Sequence, residues 1–112
     1  MLVSRAYELM VIVDADVDDP GVRGVIARIT ELIQADGGTI AKVDNWGKRR
    51  FAYEINRKTE GTYVVLEIVT SAALDSVDRM LRIADEAVRH KIIRLPDREA
   101  AKRGLLGAGT PA

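Results

Sequence analysis

Hydrophobic positions along the chain change their spacing several times, and each change predicts a new structural element. Apolar residues alternate with others from Tyr7 to Val13 and again from Thr62 to Val69, which is typical of strands with one buried face. Between these runs, apolar residues three and four apart predict a helix that begins at Asp18 or Asp19 and ends at Gly37-Gly38. The stripe that this helix buries consists of Val22, Val25, Ile26, Ile29, Leu32 and Ile33.

The middle of the chain is predicted to be extended but irregular. Thr39 to Trp46 forms a strand whose alternation breaks, because Ile40 and Val43 are three residues apart. Both can face the core only if a β-bulge lies between them. Gly47 then turns or bends the chain, and extended structure resumes from Arg49 to Ile55.

The last third of the domain repeats the helix-then-strand pattern. Ser71 can cap a second helix, and a short strand from Val88 to Leu95 ends at Pro96. The second helix turns Leu74, Val77, Leu81 and Ala84 toward the core. The resulting β-α-β-β-α-β order predicts an α+β, ferredoxin-like fold with a four-stranded antiparallel sheet and both helices on one face. We expect residues 1–96 to form this domain and residues 97–112, which are charged and then rich in small residues, to be a frayed, flexible tail.

The other face of the predicted sheet carries no helix. By strand alternation it should present Glu8, Met10, Ile12, Tyr63, Val65 and Glu67. A surface this rich in apolar side chains favours the docking of a protein or RNA. Scattered surface hydrophobic residues, which are common, are the alternative interpretation.

Charge and composition narrow the possible functions. The chain of 112 residues has room for one domain with a two-layer core, and its lack of cysteine excludes disulfides and thiolate chemistry. Its 17 basic and 17 acidic residues balance, so the overall positive charge that is usual for nucleic-acid binders is missing. The charges are segregated, because residues 1–36 carry a net charge of −4 and residues 42–58 a net charge of +4. RNA binding would therefore be local and assisted by a partner.

Patterns typical of catalytic or metal sites are missing from the sequence. The only histidine, His90, lies between Arg89 and Lys91, which disfavour its charged form, so we expect a surface histidine near phosphate and not a general base. The aspartates of residues 14–18 are spaced like the start of a calcium loop, but the glycine and glutamate that such a loop requires are absent. No apolar run is long enough to span a bilayer.

The most informative segment is the basic run Lys48-Arg49-Arg50, which Trp46 and Tyr53 flank between two strand-like stretches. Three adjacent cations repel one another, and a polyanionic partner would offset that repulsion. Cations for phosphate and flat rings for exposed bases are what RNA contact requires. A solvated hairpin whose charges protect an edge strand explains this segment about equally well.

Several motifs together resemble bacterial ribosomal protein six of the small subunit. The longest covers residues 42–55 and contains the run Trp-Gly-Lys-Arg-Arg-Phe-Ala-Tyr, in which Phe51 replaces the leucine typical of the family. The resemblance extends from about Arg5 to Arg94. It also rests on Tyr7-Glu8, Gly37-Gly38, Gly61 with Tyr63, Leu81-Arg82-Ile83 and Val88-Arg89.

The resemblance implies a structural role on the cytoplasmic ribosome, with no enzyme activity, cofactor, metal, membrane or small-molecule substrate. It implies binding to the central domain of 16S ribosomal RNA as a heterodimer with small-subunit ribosomal protein eighteen, a basic partner that would explain the zero net charge. It assigns RNA contact to Arg5, Lys48, Arg49, Arg50 and Arg89, and further to Arg57, Lys58 and Arg94. The candidate contacts with the protein partner are Trp46, Tyr63 and Val65.

Other classes of protein with this element order suggest an alternative function. A ligand-binding or regulatory ferredoxin-like homodimer would associate through Met10, Ile12, Tyr63 and Val65 and would have no affinity for RNA. An RNA-recognition motif is disfavoured, because its base-stacking aromatics on the first and third strands have only Tyr63 as a counterpart here.

Overall fold

The computed structural model describes residues 4–55 and 57–105. Its elements are β1 (Arg5–Asp14), α1 (Asp19–Ala35), β2 (Thr39–Ile55), β3 (Lys58–Thr70), α2 (Asp75–Ile83), β4 (Ala87–Arg94) and α3 (Asp97–Lys102). The four strands form one antiparallel sheet in the order β2-β3-β1-β4. The predicted ferredoxin-like fold is confirmed, with one helix more than expected.

The core lies between the sheet and helices α1 and α2. Alternate residues of the strands pack against the buried faces of both helices, so the two helices lie on the same side of the sheet. Burial of each large apolar side chain there contributes about 1.5–3 kcal/mol. The fully buried cluster comprises Leu9, Val11, Val13, Val22, Val25, Ile29, Ile33, Val64, Leu66, Ile68, Val77 and Leu81. Of the stripe predicted on α1, Ile26 and Leu32 are only partly buried.

The ends of α1 follow the sequence signals. The Asp18 carboxylate accepts a hydrogen bond from the backbone N–H of Gly21 at 2.9 Å, so Asp18 is the N-cap. At the other end Gly37 takes a positive φ of 85°, and the N–H of Gly38 donates to the Ile33 carbonyl at 2.9 Å. The predicted cap of α2 is wrong, because α2 begins only at Asp75 and residue 71 lies before it.

The predicted irregularity of the middle strand is confirmed, since β2 shifts register between Ile40 and Lys42 and again between Asn45 and Gly47. The first shift brings Val43 opposite Leu66, on the helix side of the sheet. Val43 nevertheless remains 43% exposed. The reason is that β2 is an edge strand and has a neighbour on one side only.

The segment after β4 departs from the expectation of a frayed tail. Residues 97–102 form α3, and its Ala100 is fully buried against Ala6 and Leu95, with Leu105 packed beside them. The part of the predicted tail that spans residues 106–112 lies outside the described residues. The division of the chain at residue 96 stays a prediction, although the described segment 97–105 is ordered on the domain.

Candidate functional site

A column of aromatic rings lies on the face of the sheet that α1 and α2 leave uncovered, hereafter the open face. The rings of Trp46 and Tyr63 are parallel within 6° at a centroid distance of 6.3 Å. Phe51 meets Tyr63 edge-on, with centroids 6.2 Å apart. The Arg49 guanidinium lies 5.8 Å from the centroid of Trp46, within the range of a cation–π contact. Tyr63 therefore links the basic hairpin to the middle of the sheet.

Gly47 makes this arrangement possible. Its φ of 80° is a conformation that glycine adopts without strain, and its N–H donates to the Asn45 side chain at 2.8 Å. The adjoining register shift leaves Trp46 as the extra residue, because Asn45 pairs with Val64 and Gly47 with Tyr63. The bulge thereby brings the indole over Tyr63, near the middle of β3.

A groove of about 310 Å³ runs along the open face beside this column, hereafter the cationic groove. Its cationic residues are Arg50, Arg89 and Lys91, and the last two lie opposite Ile12 and Met10 in the β1–β4 register. Apolar and aromatic residues provide the remaining lining: Met10, Ile12, Phe51, Ala52, Tyr53, Ile55 and Tyr63. Cations around an aromatic and apolar floor can hold a phosphate and a ring at the same time.

Lys91 is a member of the groove that the sequence analysis did not single out. The signal was present, because Arg89 and Lys91 are two residues apart on a strand and therefore share a face. Only the pairing of β4 with β1 shows that this face is the open one.

The structure divides the basic run at 48–50 between two surfaces. Arg50 lines the cationic groove. Lys48 lines a second concavity of about 460 Å³, which also contains Asp18 and Asp19 at the start of α1. Lys48 therefore lies near two aspartates. Arg50 shares the groove with Arg89 and Lys91, although its cross-strand partner on β3 is Glu60.

Two other predicted RNA contacts lie at the far end of the sheet. Arg5 pairs with Thr70, and Arg94 lies opposite Tyr7. Thr70 and Gly61 are nine residues apart on β3, which is about 30 Å of strand. Arg5 and Arg94 thus form a patch separate from the hairpin.

The turn between β2 and β3 holds the remaining predicted cations. Arg57 is exposed and has a positive φ of 65°. Lys58 forms an ion pair with Asp14 at 2.9 Å, which raises the pKa of Lys58. The pKa of Asp14 is lowered, first by the backbone N–H of Asp16 and then by Lys58. The ammonium group of Lys58 is therefore already engaged in an intramolecular ion pair.

The three candidates for protein contact differ in accessibility. Trp46 is 49% exposed and Tyr63 is half-buried, so both can offer surface to a partner. Val65 is only 8% exposed, although its position opposite Met10 puts it on the open face as predicted. Its side chain has little area left to offer.

His90 is not the surface histidine that we expected. Its imidazole Nε2 lies 2.8 Å from the Asp78 carboxylate, and its side chain is only 12% exposed. This hydrogen bond is the main cause of the lowered pKa of Asp78. The position of His90 opposite Val11 puts it on the helix side, away from the groove.

Within residues 4–55 and 57–105, no group of three or more histidine, aspartate or glutamate side chains could hold a metal ion. None of the helices in this described part is long and apolar enough to cross a membrane.

Comparisons with known proteins agree with this architecture. The family model for ribosomal protein S6 matches residues 6–94. Small ribosomal subunit protein bS6 of Carboxydothermus hydrogenoformans is 44% identical over 91 residues, which are 80% of this chain and 95% of that protein. The bS6 protein of Paenarthrobacter aurescens is 43% identical over 96 residues, 85% of this chain and 95% of that protein.

A solved structure shares this fold. The crystal structure of 30S ribosomal protein S6 from Thermotoga maritima superposes with a TM-score of 0.81 at 30% identity and covers 90% of this chain and 96% of that one. The chain therefore belongs to the ribosomal protein S6 family and is a structural constituent of the bacterial small ribosomal subunit, not an enzyme.

Proposed function

We propose that the chain binds the central domain of 16S ribosomal RNA together with small-subunit ribosomal protein eighteen. The observation that carries this proposal is the cationic groove, where Arg50, Arg89 and Lys91 surround an aromatic floor. Cations supply the salt-dependent affinity for phosphate, and exposed rings supply stacking surfaces for unpaired bases. The concavity that contains Lys48, in contrast, has no aromatic lining.

The other predicted cations have graded roles in this proposal. Arg49 reaches the RNA beside Trp46, with its guanidinium already oriented by the indole ring. Arg5 and Arg94 provide a second contact at the far end of the sheet. Arg57 can reach phosphate from the exposed turn, whereas Lys58 is held by Asp14 and Lys48 lies beside acidic residues.

The protein partner supplies the charge that this chain lacks. A net charge of zero leaves only local attraction for a polyanion. A basic partner bound next to the groove would extend the positive surface, and the half-exposed rings of Trp46 and Tyr63 are the contacts that we assign to it. Val65 contributes shape to this surface and little area.

The test is a binding titration with a central-domain fragment of 16S ribosomal RNA, with and without protein eighteen, over a salt series. We expect tight binding only when both proteins are present. Replacing Arg50 and Arg89 by alanine should flatten the salt slope by about 1.5 units, at about 0.7–0.9 for each lost phosphate contact. Arg23→Ala, on the exposed side of α1, is the matched control and should leave the slope unchanged.

Two results would contradict the proposal. One is an equal loss of slope for Arg23→Ala and for the groove variants, which would indicate non-specific attraction. The other is no RNA binding under any condition together with a stable homodimer in sedimentation, which would favour a ligand-sensing homodimer.

A further inference from the structure

The open face has a second, acidic end. Glu8 and Glu67 lie directly opposite each other on β1 and β3. Like charges in such a cross-strand pair destabilise a sheet unless a cation neutralises them. The two carboxylates, hereafter the acidic pair, lie on the same face as the cationic groove, because Glu8, Met10 and Ile12 alternate along β1.

The cation that neutralises the acidic pair comes from the segment after β4. Nη1 of Arg103 lies 3.0 Å from Glu8 and 3.1 Å from Glu67, and its Nε donates to Glu99 at 2.8 Å. These contacts raise the pKa of Arg103 and lower that of Glu99. The family match ends at residue 94, so this segment lies outside the part of the chain that the family model describes.

The segment depends on its tertiary contacts and not on its own helical stability. α3 has six residues, and no described side chain caps its first turn. Helices shorter than about 12 residues are marginal in water without tertiary contacts. Those contacts are the burial of Ala100 against Ala6 and Leu95, the packing of Leu105 beside them and the ion pairs of Arg103 with the acidic pair. A competing guanidinium that takes over the acidic pair would therefore remove a large part of what holds the segment.

We propose that residues 97–105 form a displaceable strap, and that the acidic pair beneath it is a docking site for an arginine-bearing segment of a protein partner. The strap itself demonstrates the chemistry that the site accepts: a guanidinium between two carboxylates, flanked by a small apolar side chain. RNA is disfavoured at the acidic pair itself, because its phosphates would face Glu8 and Glu67. The identity of the partner rests on the proposed function, which supplies a basic protein.

The two ends of the open face thus suit ligands of opposite charge. Glu8 and Ile12 are four residues apart on β1, which is about 13 Å. Over that distance the surface changes from acidic to basic, since Arg89 lies opposite Ile12. One bound partner could satisfy the acidic pair and leave the cationic groove to RNA.

The test measures the affinity of the full chain for purified small-subunit ribosomal protein eighteen by calorimetry, without RNA. Arg103→Ala should open the strap and tighten binding about three- to tenfold, because a partner no longer competes with a docked segment. The double variant Glu8→Gln with Glu67→Gln should weaken binding at least about tenfold, since the partner's guanidinium loses both carboxylates. Arg98→Ala, an exposed position on the same helix, is the control and should bind as the parent does.

Amide hydrogen exchange measures directly whether the strap is displaced. The Leu105 N–H donates to the Ala100 carbonyl at 2.9 Å. Partner binding should speed amide hydrogen exchange at Leu105, because displacement breaks this hydrogen bond. Thermal unfolding of each variant checks that the domain remains folded.

The outcomes separate the two proposals. Weaker binding by Arg103→Ala, or slower exchange at Leu105 in the complex, would overturn the strap and make α3 part of the interface. Equal affinities for all variants would overturn the docking site alone. Absence of binding by the parent chain and every variant would refute the proposed function, and the strap proposal would fall with it.

Discussion

Gly61 lies on β3 in close contact with residues of β1 and β2, and its replacement by alanine should destabilise the domain. A Cβ atom there would lie 2.6 Å from Cγ2 of Ile12, 3.0 Å from the carbonyl oxygen of Val13 and 3.1 Å from Cζ of Phe51. The first distance is far inside van der Waals contact, and the second involves backbone that pairs with Thr62. The sheet must therefore shift, or Ile12 must leave its rotamer.

Two opposing contributions set the expected loss of unfolding free energy for Gly61→Ala. Overpacking of this kind costs about 1–3 kcal/mol. Against it, alanine lowers the conformational entropy of the unfolded chain and recovers about 0.4–1 kcal/mol. We therefore expect Gly61→Ala to lose about 1–2 kcal/mol of unfolding free energy, which lowers Tm by several degrees in a domain of this size. Displacement of Phe51 should also weaken its edge contact with Tyr63 in the cationic groove.

The chain offers a matched control of opposite sign. Gly24 lies inside α1, and no described atom other than its chain neighbours and the local helix backbone lies within 4 Å of the place that an added methyl group would occupy. Gly24→Ala should therefore stabilise the domain by about 0.5–1 kcal/mol through helix propensity. Urea unfolding followed by Trp46 fluorescence and by circular dichroism measures both variants. A Gly61→Ala protein as stable as the parent, or shifted in the same direction as Gly24→Ala, would refute the steric argument.

Two further predictions concern the core and the turn. Leu66→Ala should cost about 2–5 kcal/mol in urea unfolding, because Leu66 is fully buried between sheet and helices; a loss well below about 2 kcal/mol would mean that the core collapses around the cavity. Asp14 has a folded pKa below its ordinary 3.8, so its stabilising contribution is complete above that value and disappears as the pH falls through the folded pKa. Asp14→Asn should therefore destabilise the protein at neutral pH and matter little in strong acid, and an effect independent of pH would contradict the lowered pKa.

The fold was predictable because local and long-range preferences agree along most of the chain. The apolar stripe of α1, its aspartate cap and its glycine end each predict the same helix, and the structure has it at Asp19–Ala35. Where the prediction failed, the local signal was weak. Ser71 is a good capping residue by type, but α2 begins four residues later, and the half-buried Leu74 precedes its first turn.

The candidate site was predictable by residue type and not by arrangement. Trp46, Arg49, Arg50, Arg89 and Tyr63 were all recognisable as chemistry-bearing side chains. The position of Trp46 depends on the register shift between Asn45 and Gly47, which leaves it as an extra residue stacked on Tyr63. Alternation along an unbroken strand would have turned the indole to the other face.

The packing of the segment after β4 was also not predictable from the sequence. Residues 97–105 contain few apolar side chains, so the sequence carries no periodic signal for a packed helix. They are ordered by the burial of Ala100 and by the acidic pair, whose members are 59 positions apart in the chain. A lone arginine gives no indication that two glutamates will meet opposite it.

By itself, the sequence determined the order of strands and helices, the buried stripe of α1, the bulge in β2 and the family motif at residues 42–55. These features depend on neighbours within a few residues, where spacing and propensity act directly. Only the tertiary structure decided that Arg50 lines one groove with Arg89 and Lys91, that Lys48 lies near Asp18 and Asp19, and that Arg103 covers the acidic pair. The physical reason is that cross-strand register, which sets which side chains meet, arises from the packing of the whole sheet.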